Sequence, residues 1–260
     1  EREFRERYGD DALTAGHHPQ IRDHEACWNS SSFAVELARK HGANLHVLHL
    51  TTAREMELFE PGPIAGKQVT AEACIHHLMF DERDYAALGN RIKCNPAIKS
   101  AEDREALLQA VREDRIDILA TDHAPHTLEE KGQRYVDAPS GMPLAQDFLP
   151  ALLDLVHREA LSIEQVVEKA CHNVARRFGV VERGFVREGY WADLVLVDPE
   201  ARTAVSDDTA LAKCGWSPFA GRVLQGRVDA TLVGGEIAWR DGQLTDAVAG
   251  RRVAFERRGP

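Results

Sequence analysis

The sequence predicts an α/β fold: the C-terminal part of a (β/α)8 barrel, about its sixth to eighth strands, followed by a small β-sandwich-like domain. Apolar, strand-like runs at 45–52, 69–75 and 116–121 alternate with helical patterns. This alternation is typical of βα units with a parallel sheet. After Gly179 the pattern changes to short β-type runs separated by glycine. We therefore place the barrel part at 1–179 and the β-rich domain at 180–260.

The helices are predicted from apolar spacing and from residues that begin or end helices. Gly42 follows a stretch with helical spacing and is expected to end it. Ser100 and Asp103 match a capping box. Ser162 is the expected N-cap of the last long helix. The predicted helices cover 26–41, 53–59, 101–113, 144–158 and 162–178.

The β-rich part and one long loop complete the predicted fold. The short apolar runs of the β-rich part are interrupted by Gly234-Gly235, a pair that favours a tight hairpin turn. The polar loop 127–139 is expected to form a lid or rim beside a site at the strand ends. The predicted runs are 192–197, 221–223, 228–233 and 237–240.

Composition narrows the classes of function. The chain has 260 residues and a formal net charge of -10, which argues against a nucleic-acid partner. No apolar run approaches the ~20 residues of a membrane span. The five cysteines form no CxxC pair, so we expect reduced, mostly buried thiols in a cytoplasmic protein. Because the chain begins at Glu1 without Met, we expect an upstream part.

Asp122 is the first candidate for chemistry. The apolar run before it ends abruptly in Asp122, His123 and His126. Reactive side chains at the C-terminal end of a barrel strand are typical of an active site. A carboxylate there can bind a metal and transfer a proton. The alternative is an aspartate that caps the next turn, with both histidines as ordinary loop residues.

His49 is the second candidate, at the end of the first strand-like run. Its neutral imidazole would suit a divalent ion such as zinc, although a lone histidine at a strand end is more often structural. His76 and His77 follow the second run, where strand alternation is expected to point one of them away from a shared site. A hydrolytic site usually needs three or more protein ligands. This chain offers His49 and Asp122, and we expect the others upstream of residue 1.

Four segments, two of which contain His49 and Asp122, resemble motifs of the dihydroorotases, a family within the amidohydrolase superfamily. The resemblance covers nearly the whole chain and includes a β-rich segment at 189–198. It implies that His49 is a metal ligand, that Asp122 is both a ligand and the general base and acid, and that Asn95, His126 and Gly141 contact substrate. The matching segments are HVLHLTT at 46–52, KCNPAIKS at 93–100, ATDHAPH at 120–126 and SGMPLAQ at 140–146.

The resemblance also implies an activity and partners. The family hydrolyses dihydroorotate reversibly to N-carbamoyl-aspartate in pyrimidine synthesis, with one or two divalent ions, here expected to be Zn²⁺. The family's HxHxR motif, its fourth-strand ligand and its fifth-strand histidine are missing here, which we interpret as truncation. The expected partner is the small-molecule substrate, together with other copies of the chain or aspartate transcarbamoylase.

Two alternatives stay open. The chain is also similar to hydantoinases and allantoinases, but the histidine at 126 favours a substrate that carries a carboxylate. The second alternative is a non-catalytic subunit that scaffolds aspartate transcarbamoylase. The presence of His49, Asp122, Asn95 and His126 argues against such a loss of function.

Overall fold

A computed structural model describes residues 1–247 and 250–256, which fold into two compact units. The first unit contains Glu1–Phe148 and Val205–Arg222, and the second contains Leu149–Ala204 and Val223–Pro260. These units divide at other positions than residue 179, where the sequence predicts a domain boundary. Because compact units need not coincide with domains, that boundary stays a prediction. Residues 248–249 and 257–260, which belong to the predicted second domain, lie outside the described residues.

The first unit contains a three-stranded parallel sheet in the order β1-β2-β3. Its strands are β1 (Leu45–Val47), β2 (Val69–Cys74) and β3 (Ile118–Ala120). The central strand β2 is buried from Thr70 to Cys74, because a strand inside a parallel sheet is covered on both faces. The predicted α/β class and the parallel pairing are therefore confirmed.

Local capping signals identify the longer helices of this unit correctly. Asp23 accepts a hydrogen bond from the Ala26 N–H at 2.8 Å, and Gly42 ends the same helix at φ 66°. The predicted capping box of Ser100 and Asp103 is also present. The helices are α1 (Arg2–Tyr8), α2 (His18–Ile21), α3 (His24–His41), α4 (Ile75–Met79), α5 (Tyr85–Leu88), α6 (Ala101–Arg112) and α7 (Leu128–Lys131).

Three predictions for this unit were wrong in detail. The first strand ends at Val47, and the helix expected at 53–59 is a short 3₁₀ helix, Arg54–Leu58. His76 and His77 do not end a strand: the chain enters α4 directly after Cys74. Strand alternation therefore does not govern these two residues, and both imidazoles are buried. The apolar run continues through this junction, so periodicity alone could not locate it.

The second unit joins a helical segment to an antiparallel sheet. Its helices are α8 (Phe148–His157), α9 (Ile163–Val167) and α10 (Asn173–Phe178), and a π-helical turn, Glu168–His172, lies between the last two. The predicted helix 144–158 thus begins later, and the predicted helix 162–178 is interrupted. The sheet has the order β4-β5-β6-β7, with strands Leu194–Ala204, Val223–Val233, Glu236–Arg240 and Gln243–Leu244.

The hairpin between β5 and β6 forms at Gly234-Gly235 as predicted. The five cysteines are free, but only Cys74 and Cys94 are buried, so the expectation of mostly buried thiols was wrong. Across the described residues, no helix combines the length and apolar character needed to cross a membrane.

Gly226 gives a test of packing in the second unit. It lies at φ +94°, and an added Cβ would come 2.6 Å from the Leu153 Cβ. Gly189 has a similar φ of +82° but open space around it. We expect Gly226→Ala to lower the free energy of unfolding by about 2 kcal/mol more than Gly189→Ala, in urea titrations. Equal losses would mean that backbone strain, not overpacking, dominates.

Candidate active site

His49 and Asp122 occupy equivalent positions at the carboxyl edge of the parallel sheet. Each lies two residues beyond its strand, β1 for His49 and β3 for Asp122. Both adopt positive φ angles, 38° and 50°, which are uncommon outside glycine and often occur at functional sites. Neither side chain makes a hydrogen bond to another described residue. An imidazole nitrogen and a carboxylate are thus available to a ligand.

Buried residues of β2 and α4 lie near these two side chains. Cys74, His76 and His77 are buried, and their ligand atoms all lie within 4.8 Å of one another. Burial lowers the pKa of His76 to about 3, and the charge of His49 lowers it further. Burial also raises the pKa of the Cys74 thiol, and Asp122 contributes to that shift. His49 and Asp122 therefore both lie close enough to interact electrostatically with residues of this cluster.

Several polar atoms of the cluster lack partners. Neither ring nitrogen of His76 makes a hydrogen bond of ordinary geometry to a described residue. The nearby Thr121 backbone raises the pKa of His76, against the larger lowering caused by burial. In His77, Nε2 is 3.1 Å from the Pro96 carbonyl oxygen, whereas Nδ1 is unpaired. A buried polar group without a partner costs about 1–3 kcal/mol. The sequence pattern gave no sign of this cluster.

Gly141 brings two of the predicted substrate segments together. Its N–H donates to the carbonyl oxygen of Lys93 at 2.9 Å, and Lys93 precedes Asn95 by two residues. An added Cβ would lie 2.6 Å from the Ala124 carbonyl oxygen and 3.3 Å from the His126 ring. With φ at +129° as well, only glycine fits at this position.

A buried lysine that the sequence analysis missed holds the same segments. The Lys131 ammonium donates to the carbonyl oxygens of Lys93, Pro139 and Gly141 at 3.1, 2.9 and 2.8 Å. Its three donors are thereby satisfied. Burial lowers the pKa of Lys131 to about 8. The segment 127–139, which we expected to be a lid or rim, is thus anchored through α7 to the loop before Asn95.

The loop that carries Asp122 is fixed by backbone contacts on both sides. His123 Nδ1 accepts hydrogen bonds from the N–H groups of Leu144 and Ala145, each at 3.0 Å. The indole of Trp216 donates to the His126 carbonyl oxygen at 2.7 Å. His123 therefore connects two loops, where the alternative interpretation expected only an ordinary loop residue, and the Asp122 side chain is exposed.

Asn95 differs from the other predicted substrate residues. Its side chain is exposed, whereas Cys94 and Ala97 on the same loop are buried. The loop is thus anchored on both sides of Asn95, and the Asn95 amide faces solvent.

Comparison with known proteins identifies the family. A profile described as "Amidohydrolase family" matches residues 10–238. The chain belongs to the amidohydrolase family. It is 40% identical over 221 residues to a dihydroorotase of Halobacterium salinarum, which covers 85% of this chain and 50% of that protein. A dihydroorotase of Carboxydothermus hydrogenoformans is 34% identical over 207 residues, covering 79% of this chain and 48% of its own length.

Solved structures show the same kind of fold. A dihydropyrimidinase from Brevibacillus agri superposes with a TM-score of 0.84 at 22% identity, over 94% of this chain and 54% of that one. An L-hydantoinase from Arthrobacter aurescens gives 0.77 at 28% identity, over 84% of this chain and 49% of that one. The amidohydrolase chain described here therefore spans about half the length of the relatives it matches.

Buried His18 supports the same loops and gives a prediction about pH. Its Nε2 is 2.7 Å from the Cys94 carbonyl oxygen, so the Tyr135 hydroxyl donates to Nδ1, also at 2.7 Å. Burial lowers the pKa of His18 to about 4, and the charges of Lys93 and Lys99 contribute.

Since the unfolded chain binds this proton near pH 6.5, the neutral His18 stabilises the fold above that pH. This stability is lost as the pH falls from about 6.5 to about 4. The contribution is about 3 kcal/mol. Urea titrations at several pH values should show a shallower acid loss in His18→Gln than in the unchanged protein. Identical slopes would show that His18 is not the group responsible.

Proposed function

We propose that the full-length protein carrying this chain is a dihydroorotase, which hydrolyses the ring amide of dihydroorotate reversibly to N-carbamoyl-L-aspartate. The observation that carries the proposal is the packing of Gly141 against Ala124 and His126, which joins two segments that resemble dihydroorotase motifs. Relatives named dihydroorotase, 34–40% identical over about four fifths of the chain, support it. In this proposal β1, β2 and β3 are the sixth to eighth strands of a (β/α)8 barrel.

His49 and Asp122 fit a divalent metal site by donor type and by position. A histidine nitrogen and a carboxylate oxygen are ligands that zinc commonly takes, and both extend from strand ends of one sheet. When bound, a divalent ion would lower the pKa of water and polarise the ring carbonyl. The identity of the ion as Zn²⁺, and the use of one ion or two, belong to the proposal.

Asp122 is the proposed proton carrier. Its carboxylate is exposed at the carboxyl edge of the sheet and makes no hydrogen bond to a described residue. It would accept the proton of the attacking water and pass it to the ring nitrogen that leaves. The positive φ of Asp122 places its backbone in a conformation that is uncommon outside glycine, at the end of β3.

Three residues are proposed to bind the substrate. The imidazole of His126 and the exposed amide of Asn95 would bind the carboxylate of dihydroorotate. Gly141 uses its N–H for Lys93 and one lone pair of its carbonyl for Lys131. The second lone pair of that carbonyl is left to accept an N–H of the substrate ring.

A hydantoinase is the alternative, because the solved structures with similar folds include hydantoinases. Hydantoin and dihydrouracil have no carboxylate, so a pocket that uses His126 for binding charge should prefer dihydroorotate. A cytoplasmic location, and association with further copies or with aspartate transcarbamoylase, remain predictions.

The first functional test compares substrates in the full-length protein and in its Asp122→Asn variant. We expect hydrolysis of dihydroorotate, little of hydantoin or dihydrouracil, and a fall in kcat of at least about 10³-fold in the variant, because the amide cannot accept the proton. Unchanged circular dichroism would verify the fold. Preference for hydantoin would favour the alternative, and a folded variant with substantial turnover would contradict the role of Asp122.

The second test concerns the substrate carboxylate. His126→Ala should raise KM for dihydroorotate by about tenfold or more, since one hydrogen bond to a charged group is lost. The control is Glu130→Gln, which removes the carboxylate 3.7 Å from His126 Nδ1 but keeps the ring. We expect the control to change KM much less. Equal effects in both variants would assign the role to the ion pair instead.

A further inference from the structure

The proposed reaction leaves a cluster of buried reactive groups in the first unit without a role. Cys74, His76 and His77 are each at most 2% exposed. Three of the four ring nitrogens of the two histidines make no hydrogen bond of ordinary geometry to a described residue, although the Thr121 backbone lies close to the His76 ring. Their ring centroids are 4.0 Å apart. Groups of this kind are normally paired when buried, so their arrangement needs an explanation.

We propose that Cys74, His76 and His77 form a zinc-binding site of their own, separate from His49 and Asp122. One ligand atom from each residue lies within 4.8 Å of the others. Tetrahedral ligands of zinc lie roughly 3.3–3.6 Å apart, so small side-chain rotations would bring the three atoms around one ion. The proposal goes beyond the proposed function, because it requires neither turnover nor the two residues assigned to catalysis.

The hydrogen bond of His77 supports this assignment. Because Pro96 offers only a carbonyl oxygen, the Nε2 of His77 carries the hydrogen of their 3.1 Å contact. Its Nδ1 then has a free lone pair and is buried without a partner among the described residues. A metal-binding histidine commonly donates its other N–H to a backbone carbonyl in this way.

The chemistry of the donors points to zinc. One thiolate and two neutral imidazoles are typical ligands of Zn²⁺, and neither magnesium nor calcium prefers them. On binding, the Cys74 thiol releases its proton to solvent, the S–Zn bond forms, and no group is oxidised or reduced. Glu72 Oε1, which accepts from the Cys74 S–H at 3.7 Å and from the His49 N–H at 3.4 Å, would become the fourth ligand only by leaving these contacts; otherwise a water would fill that position.

The local structure explains how these three residues come together. Cys74 is the last residue of β2, and α4 begins at the next position. The abrupt change from strand to helix places two consecutive histidines near the preceding cysteine, which a continued strand would not do.

The first experiment measures zinc by elemental analysis in the full-length protein purified without chelator. We expect Cys74→Ser to contain about one zinc ion fewer per chain than the unchanged protein. The matched control is Cys94→Ser, another buried thiol. Its sulfur is 3.2 Å from the Pro96 carbonyl oxygen and 4.0 Å from His77 Nε2, the nitrogen that donates to Pro96 and is not a proposed ligand. The control should keep its zinc. Unchanged zinc in folded Cys74→Ser, or an equal loss in the control, would overturn the assignment.

A second measurement does not require a cysteine variant to fold. The unchanged protein is depleted of zinc and reloaded with Co²⁺, and its near-ultraviolet spectrum is recorded. We expect a thiolate-to-cobalt charge-transfer band that persists in His49→Ala, because His49 and Asp122 offer no sulfur. Absence of the band in the unchanged protein would overturn the proposal. Loss of the band in folded His49→Ala would overturn the separation of the two sites.

Discussion

The arrangement of the loops proposed to bind substrate depends on the buried ammonium of Lys131. It satisfies three carbonyl groups that belong to different turns, at Lys93, Pro139 and Gly141. Burying an ammonium costs free energy unless its N–H donors all make hydrogen bonds. Here each of the three donors of Lys131 has an acceptor. Gly141 is thereby held against Ala124, beside the His126 ring. A single cation thus couples the loop before Asn95 to the loop that contains Asp122.

The parallel sheet supplies the other fixed points. Because β1 and β3 run in the same direction on either side of β2, their carboxyl ends reach one edge, and His49 and Asp122 follow them. Positive φ angles turn both residues out of the strand direction. The proposed chemistry therefore uses residues at strand ends, whereas the proposed substrate selection uses loops that the Lys131 ammonium and the His123 ring connect.

Features with local causes could be predicted from the sequence. The ends of α3, the capping box of α6 and the hairpin at Gly234-Gly235 all depend on residues within a few positions of one another. The start of α4 could not be predicted, because the apolar run continues from β2 into the helix without a break. That error also concealed the cluster of Cys74 with the two following histidines.

Long-range partners explain what else the sequence analysis missed. Lys131 and Lys93 are 38 positions apart, and His123 and Leu144 are 21 apart. No periodicity or cap connects such pairs, so Lys131 had no distinguishing feature in a polar loop. The candidate residues themselves were found through short motifs. How those motifs pack together became visible only in the fold, and their catalytic roles remain proposals.

A crystal structure of the full-length protein with dihydroorotate bound would test the central claim most directly. The account predicts the substrate carboxylate within hydrogen-bond distance of His126 and Asn95, with the ring amide beside Asp122. A metal ion should be bound to His49 and Asp122. Dihydroorotate bound elsewhere, or an Asp122 carboxylate turned away from both metal and ring, would contradict it.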